Sequence, residues 1–187
     1  MRQIFKSLSL NYFIAFGLLC TVISCKNTNE KAATPENKIE IHTAILTDKL
    51  DDVKTYIQQG GDLNVKDPFG GSSPLISAAV FGKTEAAKLL LDAGADINFQ
   101  NNDGSTALHT AAFFCRTDIV KLLLEKNADK TIKNSYEATP YDNVSAPFAQ
   151  MKDAYDMMGQ ALGPMGLKMD YAFIEATRPE IAKMLQD

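Results

Sequence analysis

A self-similarity of 33 residues constrains this chain more than any other feature. Gly71-Ser72-Ser73-Pro74-Leu75-Ile76-Ser77-Ala78-Ala79 overlies Gly104-Ser105-Thr106-Ala107-Leu108-His109-Thr110-Ala111-Ala112 at that offset. The same offset carries Leu89-Leu90-Leu91 onto Leu122-Leu123-Leu124, and Gly94-Ala95-Asp96 onto Asn127-Ala128-Asp129. Upstream, an offset of 34 carries Ile41-His42-Thr43-Ala44 onto Leu75-Ile76-Ser77-Ala78 and Gly60-Gly61-Asp62 onto Gly94-Ala95-Asp96, the extra residue falling at Phe69-Gly70-Gly71. Downstream, Ala138-Thr139-Pro140-Tyr141-Asp142 lies 33 beyond Ser105-Thr106-Ala107-Leu108-His109. A period of this length marks a solenoid, in which no unit hides its apolar face without its neighbours.

These segments resemble the ankyrin repeat, whose unit is a turn followed by two helices. The resemblance implies an all-α solenoid of three to four helix-turn-helix repeats with short projecting loops and a helical C-terminal cap. Each matched position then has a physical reason. Ser73, Thr106 and Thr139 offer a hydroxyl to cap a first helix, and Pro74 and Pro140 sit where a missing N–H is harmless. Ala78-Ala79 and Ala111-Ala112 let helices stack closely. Thr84 and Thr117 are expected to cap the second helix after turns at Gly82 and Cys115. Gly60, Gly94 and Asn127 suit the left-handed residue that ends it, and the family's pattern has Asp62, Asp96 and Asp129 turn the chain into the projecting loop.

The predicted units are 39–70, an N-terminal capping repeat lacking the hydroxyl-Pro start, then 71–103, 104–136 and a degenerate 137–160. Matching Tyr155-Asp156-Met157-Met158 to Val120-Lys121-Leu122-Leu123 assigns the second helix of the last unit to that segment, with a two-residue insertion within Ser145 to Gln150. Residues 161–187 are expected to form the cap. They divide into a turn at Leu162 to Gly166, a short helix at Tyr171 to Ala176, and a final helix opened by the capping-box pattern Thr177-Arg178-Pro179-Glu180.

The N-terminus reads as a targeting segment. Arg2 and Lys6 precede an uncharged run whose most apolar stretch is Tyr12 to Ile23, the order of a signal peptide over 1–24. Val22-Ile23-Ser24-Cys25 resembles the lipobox of bacterial lipoproteins, which implies acylation of Cys25; Cys20 follows Leu19, where a small side chain is wanted. Residues 25–38 hold Pro35 and no aliphatic side chain larger than alanine beyond Cys25, as in a solvated tether. The expected location is the bacterial cell envelope, lipid-anchored at the outer membrane and facing the periplasm. Lys26-Asn27 lacks the aspartate that resembles an inner-membrane retention signal.

Charge and composition narrow the chemistry. The 187 residues carry a net charge of −4, which argues against a nucleic-acid partner. No glycine-rich phosphate loop, HExxH or GxSxG is present. His42 and His109 occupy one repeat position, and in the family that histidine links the capping hydroxyl to adjacent backbone. Cys115 replaces a turn glycine and has no second histidine in reach. No enzyme, cofactor or metal site is expected.

Function is then expected from the surface of a monomer. In ankyrin repeats the projecting loops and the two residues after the Ala pair line a concave groove; here these positions hold Phe69, Val80, Phe81, Phe113, Phe114 and Tyr136. Either they form a stripe that binds an unidentified protein partner, restraining or protecting it, or packing between repeats buries some of them. Gln100, Asn102 and Asp103 would form part of a polar rim. The alternative is an envelope metal-binding or redox-responsive protein using Met151, Met157, Met158, Met165, Met169 and Met184.

Overall fold

The computed structural model describes residues 40–186. The signal segment 1–24, Cys25 and the rest of the tether 25–38 lie outside the described residues. Within them the fold is all-helical: α1 (Ile41–Leu46), α2 (Leu50–Gln58), α3 (Pro74–Phe81), α4 (Thr84–Asp92), α5 (Ala107–Phe113), α6 (Thr117–Glu125), α7 (Asp142–Ser145), α8 (Phe148–Leu162) with a 3-10 turn at Gly163–Met165, and α9 (Tyr171–Gln186). The inner row α1, α3, α5, α7 and the outer row α2, α4, α6 each pack along the solenoid, and inner and outer helices pair within a repeat. Between the rows lie Ile45, Val53, Ile76, Ala79, Leu90, Leu108, Ile119, Val120 and Leu123, each at most 1% exposed.

Local chemistry fixes the helix starts. Ser73 Oγ accepts from the Ile76 N–H, and Thr106 Oγ1 accepts from the His109 N–H while His109 Nδ1 accepts from the Thr106 N–H. This is a capping box with histidine in the place of glutamate. Thr139 and Asp142 form the same reciprocal pair one repeat later, the Thr139 N–H donating to Asp142 Oδ2 at 2.8 Å. The outer helices depart from expectation. Thr84 and Thr117 are their first residues, and the capping positions are Lys83 and Arg116, neither of which caps its helix through the side chain. The acidic residues Glu85 and Asp118 in the first turns supply the favourable charge there.

The turns repeat as regularly as the helices. Left-handed backbone recurs at Asp48, Gly82 and Cys115, at Gly60, Gly94 and Asn127, and at Gly71, Gly104 and Glu137. Side-chain amides tie successive loops together: Asn64 Oδ1 accepts from the Asp96 N–H and Asn98 Oδ1 from the Asp129 N–H, at 3.0 and 2.9 Å.

The C-terminal region is where the sequence assignment needs correction. The outer position of the last unit is filled by α9, which packs against α7 as α6 does against α5, and against α6 as α6 does against α4. Thr177, Arg178 and Ile181 are buried with the spacing of Ile119, Val120 and Leu123. Residues 146–170, α8 included, are therefore an insertion between the two helices of the final repeat. Tyr155, matched to Val120 by sequence, is buried but on a different helix. The Thr177 capping box is also unused, because α9 runs unbroken through Pro179 from Tyr171 to Gln186. Proline here leaves the Glu175 carbonyl without its helical donor.

Candidate partner-binding surface

Three projecting loops form a zipped row of fingers. Each is closed by an Asx turn: Asp67 Oδ1 accepts from the Phe69 and Gly70 N–H groups, Asn101 Oδ1 from Asp103 and Ser105, and Asn134 Oδ1 from Tyr136 and Ala138. Neighbouring fingers join backbone to backbone, the Asn102 N–H donating to the Gly70 carbonyl and the Ser135 N–H to the Asp103 carbonyl. Burial pulls the Asp67 carboxyl upward, but the N–H groups of Gly70, Phe69 and Ser72 that donate to it outweigh this and hold it below its ordinary value. Each finger is thus closed on itself and joined to its neighbour by hydrogen bonds.

On this row Phe69 and Tyr136 are 85% and 76% exposed. Gln100, Asn102 and Asp103 share the finger between them; Gln100 Nε2 donates to the Gly104 carbonyl, and the Asn102 side chain lies against Gly71. Phe81, at the end of α3, is half-buried and stands outside the main apolar cluster.

Phe114 and Phe113 are corrected by the structure. Phe114 is only 5% exposed, so it belongs to the core rather than to an open groove. Phe113 is half-buried beneath Tyr155 of α8, ring centroids 4.4 Å apart and nearly parallel, and meets Phe114 edge-on at 5.0 Å. The equivalence with Val80-Phe81 fails because an inserted helix covers the third repeat at this point and leaves the second uncovered.

Tyr155 and Arg178 were not singled out as functional by sequence. Tyr155 Oη donates to the Phe113 carbonyl at 2.7 Å, and Arg178, 3% exposed, donates from Nη1 to Tyr155 Oη and from Nη2 to the Ala146 carbonyl. Burial pushes the Tyr155 hydroxyl up to about 12 despite the guanidinium beside it. The signal available was the spacing Thr177-Arg178 to Ile181, with arginine in a register position otherwise held by Val53, Ala87 and Val120.

The titratable groups are structurally engaged. His109 is fully buried; its Nδ1 can only accept from the Thr106 N–H, so Nε2 carries the hydrogen and donates to the Ala138 carbonyl at 3.0 Å. Burial lowers its affinity for a proton. His42 reaches across to the next repeat, between Ser77 Oγ and the Val65 carbonyl. Cys115 is 1% exposed and burial pushes its thiol up to about 11, conditions under which little thiolate exists. Of the six clustered methionines, Met151, Met169 and Met184 pack on the core, whereas Met157, Met165 and Met158 are 64%, 41% and 36% exposed. Among the described residues, no group of three or more His, Cys, Asp or Glu converges as a metal site, and no helix is long and apolar enough to cross a membrane.

Comparison with known proteins agrees with this geometry. The family model for ankyrin repeats (3 copies) matches residues 41–134, half of the chain. Among curated proteins, the human DNA-binding protein RFXANK is 34% identical over 78 residues, 41% of this chain and 30% of that protein. The Neurogenic locus Notch protein of Drosophila melanogaster is 44% identical over 52 residues, 28% of this chain and 2% of that protein. Both matches thus span a minor part of those proteins. The solved ankyrin repeat domain of Bcl-3, a member of the IkappaB protein family, superposes with a TM-score of 0.53 at 33% identity, covering 55% of this chain and 45% of that one. Ankyrin repeats generally mediate protein–protein interaction. With its repeated capping boxes, paired helix rows and zipped fingers, the chain belongs to the ankyrin repeat family.

Proposed function

We propose that this chain binds a protein partner non-covalently across its fingertips and middle inner helices, and thereby restrains or protects it. The observation that carries this reading is the pair of large exposed aromatics, Phe69 and Tyr136, at the ends of a hydrogen-bonded finger row whose middle member is polar. Large rings held at low entropic cost make good anchors, and truncating a central one costs about 2 kcal/mol or more of binding. Phe81 extends the surface onto α3, and Gln100, Asn102 and Asp103 set register at the rim. Buried Phe114 is excluded from the anchors, and Phe113 is available only where α8 does not cover it.

The same reading makes the protein a monomeric lipoprotein of the bacterial envelope, anchored through Cys25 by a tether over 25–38, at the outer membrane and facing the periplasm. It uses no catalysis, cofactor or nucleic acid. The motif Val22-Ile23-Ser24-Cys25 and the acidic net charge support this. A photo-crosslinking residue in place of Phe69 or Tyr136 should give a discrete protein adduct in the native envelope, and one in place of exposed Lys88 on α4 should not. Identical adducts from both faces would refute the assignment.

A second reading rests on the exposed thioethers of Met157, Met158 and Met165, which are soft ligands for Cu(I). Titration with Cu(I), followed through the methionine methyl resonances, should shift these three together if they bind; three independent or unmoved resonances reject it.

A further inference from the structure

The insertion 146–170 puts a helix over the third repeat that the repeat plan does not require. α8 is 15 residues long, yet Tyr155 is its one fully buried side chain. Its contact side follows Phe148, Met151 and Tyr155, with rings stacked at 5.6 Å between Phe148 and Tyr155 and 4.4 Å between Tyr155 and Phe113. Met157 lies on the opposite side of the helix and is 64% exposed. Helices held so sparsely open at lower free energy than the core they rest on.

The face beneath has a second property. Arg178 borders it, only 3% exposed, with its guanidinium carbon 5.8 Å from the centre of the Tyr155 ring that α8 seats there. It forms no ion pair with a described carboxylate, and its guanidinium donates to the Tyr155 hydroxyl and the Ala146 carbonyl. A buried cation without an anion is unusual, because a buried charge normally finds a partner. The carboxylates of α8 do not serve it: Asp156 is held by Lys152 and the Tyr171 hydroxyl, and Asp153 is exposed. α8 thus complements the rings of this face and leaves its charge unmatched.

We propose that α8 is a detachable strap seated on a helix-docking face centred on Phe113 and Arg178, and that its natural competitor is an amphipathic helix of a partner protein carrying an aromatic side chain and neighbouring carboxylates. Such a helix replaces the Tyr155 stack and supplies the missing anion. On leaving, α8 lets water reach Arg178, which offsets part of the lost contact. This face is distinct from the fingertip row, so either can fail while the other stands.

Native-state hydrogen exchange on the full chain is the first test. The amides of 148–162 should exchange through an opening separate from that of α6 and α9; exchange of all three in one event would make α8 part of the core and overturn the strap. The second test takes the Tyr155→Ala chain and a fluorescein-labelled synthetic peptide of sequence 148–162, read by anisotropy. Binding is expected, and tightening of about fivefold is expected for the same peptide carrying Lys152→Glu, fading with added salt. No binding overturns the docking face, and equal or weaker binding of the acidic peptide overturns the acidic partner. If Tyr155→Ala unfolds the chain, Tyr155→Phe keeps the stack and removes both hydrogen bonds. It should then speed exchange in 148–162 alone, and unchanged exchange there counts against the strap.

Discussion

Replacing His109 with leucine isolates the capping box from packing, because the two side chains are close in volume and the site is fully buried. The imidazole accepts from the Thr106 N–H at 3.2 Å and donates to the Ala138 carbonyl at 3.0 Å. His109→Leu leaves both backbone groups buried without these partners. Each orphaned group costs about 1–3 kcal/mol, and a leucine satisfies neither, so a total loss of about 2–6 kcal/mol is expected. That is a large share of the roughly 5–15 kcal/mol that holds a domain folded. For a domain of this size it corresponds to a fall in Tm of roughly 5–25 °C. The assay is urea unfolding followed by circular dichroism, with His42→Leu as the comparison. His42 is less buried, so its loss should be the smaller. The histidine also predicts a pH dependence. Its proton affinity in the folded state is depressed by burial, so the unfolded chain takes up the proton first, near its ordinary value of about 6.5. The His109 contribution is then complete above that pH and is lost as the solution is acidified below it. His109→Leu should flatten the stability curve between about pH 7 and 5. A loss under about 1 kcal/mol, or an unchanged pH slope, would refute the assignment of His109 as a neutral cap bridging two repeats.

Glu137 has left-handed backbone, φ 57°, at a position where the preceding repeats use Gly71 and Gly104. Glu137→Gly should stabilise the chain by about 0.5–1 kcal/mol in thermal melts, its exposed pair with Lys133 weighing little. Phe114→Ala should cost about 3–5 kcal/mol of stability as a core truncation, whereas Phe69→Ala and Tyr136→Ala should leave the melting temperature within about 2 °C of the parent; equal effects would mean the fingertip rings support the fold. Cys115 should resist thiol reagents at pH 8 until the chain unfolds, and rapid labelling of the native protein would contradict its burial. Cys25→Ala should abolish lipidation, read by mass spectrometry of the N-terminus, and a soluble, lipid-free parent would remove the anchor.

The sequence by itself determined whatever repeats. Periodicity carries the capping hydroxyls of Ser73 and Thr106, the left-handed turn at Cys115 and the shared histidine position, because each is a local requirement imposed identically on every unit. Local signals also placed an insertion within Ser145 to Gln150, the stretch where α8 begins. They did not say which helix closes the last repeat. Tyr155 and Arg178 both fit a buried register, and choosing between α8 and α9 depends on which one fills the space against α6 and α7, a contact between elements well separated along the chain. The same holds for the aromatics. A 33-residue offset equates Phe81 with Phe114, but burial belongs to the neighbours, and only the third repeat has α8 beside it. Solvent exposure is a property of the assembled solenoid; tertiary structure therefore decided which rings remain open to a partner and which hold the end of the stack.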